Sequence, residues 1–185
     1  MLQSEKRYEE FAYVLDFVQR GKSSIIKGRE GPIVQAIGEE RLTLLELLAV
    51  DNLDFETGEK LRIGREGRAK ILSVFGKLAF EDITSEAKAQ LLSVCEIIVK
   101  NNEARYVAYF NELQPLTPRL HGLELIPGIG KTFMKTILDL REKQPFTSFE
   151  DIQDRVGLRE PAKLVARRIE EELSGASRVN IFVRK

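Results

Sequence analysis

Between Phe11 and Phe80 the apolar positions come in short runs, rich in β-branched and aromatic residues and broken by glycines at irregular intervals. Runs of this kind suit strands, which turn-prone stretches bound at Ala12–Val18, Pro32–Ile37, Leu42–Val50, Leu61–Ile63 and Lys70–Leu78. Five short strands predict a small antiparallel β-barrel. Gly38–Arg41 is expected to close a hairpin, and Lys22–Gly31, with Ser23, Ser24 and several charges, is expected to be a mobile loop.

At Thr84 the period changes. Ala87, Leu91, Val94, Cys95 and Ile98 recur at spacings of three and four, one face of a helix capped by Thr84 or Ser85. Asn101 and Asn102 interrupt it, and Glu103–Leu113 predicts a second short helix presenting Tyr106, Val107 and Phe110. The two prolines of Gln114–Pro118 end that helix and mark a domain junction. Beyond it four short helices are expected. Thr117 and Pro118 start the first, Leu120–Ile126; Lys131–Lys143 is the second; a Ser148/Asp151 capping box starts the third; Pro161 opens a fourth running to Leu173. The chain thus divides into a barrel domain (1–83), connecting helices (84–116), a helical domain (117–174) and a tail (175–185). In that tail Val179, Ile181 and Val183 alternate as in a strand.

Charge changes this picture little. The 185 residues hold 29 basic and 29 acidic side chains, and the excess beyond Pro118 is small, 13 basic against 10 acidic. Local patches must therefore carry any polyanion binding. A single cysteine, Cys95, excludes an internal disulfide and a thiolate zinc cluster and is expected in the core. No apolar run has the length of a signal core or membrane span, so a cytoplasmic protein is expected.

The chemistry concentrates in Leu123–Thr132, where Gly128 and Gly130 flank Ile129 between an apolar helix end and a new helix start. Glycines permit a sharp hairpin with close backbone approach. The amides of Gly130, Lys131 and Thr132 are then expected to point outward at a helix N-terminus, which binds phosphate through its dipole and donors, and Lys131 adds a charge. Gly-Lys-Thr also ends a nucleotide-binding phosphate loop. That loop needs a glycine where this chain has Leu125, and a preceding strand, so the triphosphatase reading is rejected.

Leu123-x-x-Ile126-Pro127-Gly128-Ile129-Gly130-Lys131 resembles the helix-hairpin-helix motif, a nucleic-acid-binding element without sequence readout. Arg141, Pro145–Ile152 and Arg155-Val156-Gly157 look like the continuation found in tandem helix-hairpin-helix domains. At an offset of 29, Gly157 repeats Gly128, Leu158 repeats Ile129 and Ile152 repeats Leu123, while Arg159 replaces the second glycine. Some such hairpins hold a monovalent cation on backbone carbonyls, here those of Ile126 and Gly128. Phe11–Phe17, Gly31–Gly38, Thr43–Leu47 and Leu120–Leu125 extend the likeness to the archaeal family numbered 655 among domains of unknown function. That resemblance implies an α+β protein with an OB-like barrel, a helical linker and tandem helix-hairpin-helix repeats. It also implies an RNA- or nucleotide-binding role near ribosomal and rRNA-modification genes.

The barrel adds a basic rim, Lys60, Arg62, Arg65 and Arg68, which would track a phosphate backbone, with Tyr13, Phe17, Phe55 or Phe75 as candidate base-stacking rings. A solvated hairpin face is the plainer account of the same charges. His121 lacks metal-ligand partners at suitable spacing and is expected to be structural. With no nucleophile-base set, carboxylate cluster or cofactor fingerprint, no catalysis and no cofactor are expected. The sequence therefore reads as a non-enzymatic RNA- or DNA-binding protein, with RNA foremost and rRNA among its candidate partners, and with Pro127, Gly128, Ile129, Gly130, Lys131, Thr132, Gly157 and Arg159 as the phosphate contacts. The alternative is an assembly module with protein partners in translation, RNA processing or repair.

Overall fold

The computed structural model describes residues 8–184 and has α+β architecture. It separates into two compact units, one running to Val94 and including the chain from Leu173 onward, the other Cys95–Glu172. Gln114–Pro118, read as a junction, lies inside the second unit.

The first unit is built on strands β1 (Phe11–Lys22), β2 (Glu30–Gly38), β3 (Leu44–Ala49), β4 (Lys60–Arg62) and β5 (Ile71–Lys77). All five expected strands form, within a few residues of their bounds. They hydrogen-bond in the order β4-β1-β2-β3-β5, every pair antiparallel. Alternation sends Ala12, Val14, Val34, Ala36, Leu45, Leu47, Leu61 and Ile63 into one buried cluster. Tyr13, Leu15, Ile33, Ile37 and Leu44, on the other face, are buried too. Bulges at Val14/Asp16 and Val18/Gly21 curl the sheet.

Going round five strands crosses five neighbouring pairs, and an odd ring cannot be antiparallel throughout. The four formed pairs are all antiparallel, so β4 and β5 run parallel to each other, and among the described residues no ladder joins them. Lys70 seals one end of the resulting gap, with its Nζ 2.8 Å from the Glu59 carboxylate and 3.0 Å from the Asp54 carbonyl. The other end opens as a cleft.

Glu9 locks the β2–β3 hairpin. Its carboxylate accepts from the Glu40 and Arg41 amides, each at 2.8 Å, and any Cβ at Gly38 would run into it. Burial pushes its carboxyl above the ordinary range against those hydrogen bonds. The Lys22–Gly31 segment, expected to be a mobile loop, is tied to the sheet at its start: Ser23 Oγ donates to the buried Glu46 carboxylate and accepts from the Ile25 and Ile26 amides, and Ser24 N donates to Glu46.

Helix α1 (Ser85–Asn101) is capped by Thr84, whose Oγ1 accepts from Ala87 N and donates to Asp16. Cys95 is fully buried, and burial raises its thiol pKa, as a core role requires. Helix α2 (Glu103–Glu112) follows. The helix expected at Leu120–Ile126 is absent. A small hairpin of β6 (Pro115–Thr117) and β7 (Leu120–His121) leads instead into a 3-10 turn, Gly122–Leu125. The apolar spacing of Leu120, Leu123 and Ile126 is genuine, but the extended backbone of His121 stops it from continuing as a helix.

Helices α3 (Lys131–Lys143), α4 (Phe149–Val156) and α5 (Pro161–Ser174) match expectation. Beyond Thr117 the chain therefore holds three helices plus a 3-10 turn where four helices were expected. Ser148 accepts from Asp151 N, but the Asp151 carboxylate takes the Thr147 amide, so the capping box is only half formed. The tail forms no strand among the described residues. It packs into the first unit with Phe182, which is 1% exposed, and with a backbone bond from Arg184 N to the Arg41 carbonyl.

Candidate nucleic-acid interface

The expected phosphate loop is a tight connection between the 3-10 turn and α3. Ile129 N closes it on the Ile126 carbonyl at 3.1 Å, Gly128 takes φ +89°, and Ile126 and Ile129 are buried. Gly128 and Gly130 are exposed. Gly130 occupies the cap position of α3 with extended backbone and no side chain to accept a bond. The Lys131, Thr132 and Phe133 amides therefore meet no protein acceptor among the described residues. Three donors and the positive end of a 13-residue helix face outward.

Lys131 departs from expectation. Its Nζ sits 2.9 Å from the Glu124 carboxylate and 3.1 Å from the Arg119 carbonyl, so its charge is already partnered. Glu124 also accepts the His121 amide at 2.8 Å, and that bond, with Lys131 second, holds its carboxyl below the ordinary range. His121 Nδ1 in turn accepts from Leu123 N at 3.1 Å, which completes a capping box and confirms a structural histidine. Burial, and then the nearby Arg141 charge, lower the His121 pKa. Of the two carbonyls expected to hold a cation, that of Ile126 accepts Ile129 N and that of Gly128 meets no protein donor among the described residues. No group of three metal-binding side chains occurs among the described residues.

The second hairpin is built alike but chemically closed. Gly157 caps α4 at φ +80° and Leu158 is buried as Ile129 is. At the start of α5, however, Pro161 has no amide hydrogen, Glu160 N donates to the Gln153 side chain, and the exposed Glu160 adds negative charge. Arg159 is exposed beside it. Arg141 and Arg155 serve the fold: Arg141 donates to the Phe110 and Leu113 carbonyls, Arg155 to those of Leu140 and Gln144.

The barrel rim is divided. Lys60 pairs with Glu39 at 3.1 Å and lies over the Phe11 ring, and Arg62 stacks on the same ring. Arg68 turns back to bond the Ile63, Gly64 and Leu72 carbonyls, so it holds the loop together. Arg65 is exposed and has no partner among the described residues. Tyr13 is buried, Phe17 packs on Phe55 and Phe75 is half-buried, whereas Tyr8, at 78% exposed, is an open ring that sequence reading missed. No helix among the described residues is long and apolar enough to cross a membrane.

Comparison with known proteins returns the same kind of chain. Residues 8–184 match the family described as Protein of unknown function (DUF655). An uncharacterized protein of Methanocaldococcus jannaschii, MJ0038, is 41% identical over 169 residues, spanning 91% of this chain and 76% of that one. The crystal structure of Af1531 from Archaeoglobus fulgidus superposes with a TM-score of 0.84 at 37% identity, over 95% of this chain and 100% of that one. A family match over every described residue, joined to one archaeal relative alike in sequence and another alike in fold, means that the chain belongs to the DUF655 family.

Proposed function

We propose that this protein binds nucleic acid, RNA in preference to DNA, without catalysis and without reading sequence. The carrying observation is the uncapped start of α3, where a glycine stands at the position that usually supplies a side-chain acceptor and leaves three amides for a phosphate. In this reading the Ile126–Lys131 connection is the working half of a tandem helix-hairpin-helix unit. The Gly157 connection, closed by Gln153 and Pro161, serves packing. The curled sheet acts as an OB-like barrel, whose open side serves single-stranded segments. Main-chain contacts fix the backbone of the ligand and are indifferent to its bases.

Gly130→Asp tests the reading cleanly. A Cβ at Gly130 meets nothing within 4 Å and φ is −92°, so the substitution fits. Aspartate would cap α3 with its own carboxylate, stabilising the helix and filling the phosphate position at once. In a low-salt fluorescence titration with structured RNA, binding should fall at least about tenfold while the melting temperature holds or rises. Unchanged affinity would remove the hairpin from the mechanism. Binding of cellular proteins that persists at high salt, with no affinity for RNA or DNA, would favour an assembly module.

A further inference from the structure

The cleft left where β4 and β5 fail to pair has a volume of about 1120 Å³, larger than a single small ligand needs. Its apolar floor is the barrel interior: Leu45 and Ile63, 6% and 2% exposed, and the half-buried Val74. Arg65, in the loop after β4, and Lys77, at the end of β5, are exposed on the two walls, and neither has a partner among the described residues. Tyr8 stands at the rim. Three acids also line the cleft, and they temper its charge. Glu9 is occupied by hairpin amides, Glu10 lies against Gly64, and Glu66 is exposed next to Arg65.

We infer that this cleft is a binding site for single-stranded nucleic acid, with phosphates between Arg65 and Lys77 and an unpaired base against the apolar floor or the Tyr8 ring. The inference rests on the nucleic-acid reading and deepens it, naming the cleft and the residues that would hold the single strand. Free cations on both walls call for an anion, and a desolvated apolar floor calls for a flat apolar group on the same ligand. A duplex offers phosphates but keeps its bases stacked inside, so only a single strand satisfies both.

The test measures fluorescence anisotropy with a 5′-labelled 12-mer of oligo-uridine and a 12-base-pair RNA duplex, across about 50 to 200 mM salt. Arg65→Glu/Lys77→Glu should weaken single-strand binding about tenfold or more, flatten its salt slope by about 1.4, and change duplex binding less than twofold. Tyr8→Ala should weaken the single strand alone, by several-fold. All three side chains are exposed, so the fold tolerates the changes; Arg65→Gln/Lys77→Gln gives a milder version of the same loss. Unchanged single-strand affinity, or an equal loss on both ligands, overturns the site. The hairpin reading fails separately: loss in the cleft variant with none in Gly130→Asp leaves the cleft standing, and the reverse leaves only the hairpin.

Discussion

Leu164 of α5 lies directly beneath Gly128: a Cβ built on Gly128 falls 3.3 Å from both terminal carbons of the Leu164 side chain. The close approach of hairpin and helix, together with φ +89°, explains a glycine there twice over. Gly128→Ala should cost about 1–3 kcal/mol from backbone strain and crowding. Gly130→Ala, in open space, should stay within about 0.5 kcal/mol of the parent. Urea unfolding midpoints of the two variants, measured side by side, check the contrast.

Glu124 restrains Lys131, and removing its charge without its shape should release a cation at the start of α3. Glu124→Gln keeps an acceptor for the His121 amide and loses the ion pair. RNA affinity at low salt should rise, and the slope of log affinity against log salt should steepen by up to about one charge's worth. A slope equal to the parent's would show that Lys131 does not reach the ligand.

His121 makes stability depend on pH. Folding lowers its pKa from the ordinary 6.5, chiefly through burial and then through Arg141. The unfolded chain therefore takes up the proton first, and stability present above about pH 6.5 drains away as pH falls toward the lower folded value. Glu124 and Asp151, also lowered in the fold, extend the loss into the carboxylate range, while Glu9 and Glu170, raised by burial, act in the opposite sense. His121→Asn keeps a cap without a titrating ring. The variant should lose the slope between about pH 7.5 and 5.5 in a series of urea unfolding curves and retain the acid limb.

What the sequence made legible was local. The strands of the sheet follow from alternation, and the 29-residue repeat matches Leu123 to Ile152 and Ile129 to Leu158, all four of which are buried. Leu120–Ile126 misled because its three-residue spacing fits a helix, whereas the polar side chain of His121 captures the next turn's amide and shortens it to a 3-10 turn. Partnerships across the fold left no trace in the pattern. Glu124 with Lys131, Leu164 under Gly128, and Arg65 facing Lys77 across an unclosed ring depend on topology rather than period.

Phe182 is the last large anchor of the first unit. Phe182→Ala should cost about 3–5 kcal/mol, because the ring is fully buried. Chemical denaturation followed by circular dichroism should show the loss mainly in the β signal. A destabilisation under about 1 kcal/mol would mean the tail rests on the surface without supporting the sheet.

That anchor also orders events during synthesis. The strands emerge from the ribosome first, yet the piece that finishes their packing is translated after Glu172, the final residue of the helical unit. Nascent chains ordinarily fold from the front. Here the helical unit can be complete while the β-unit is still waiting, with its hydrophobic surface partly uncovered until the closing residues arrive.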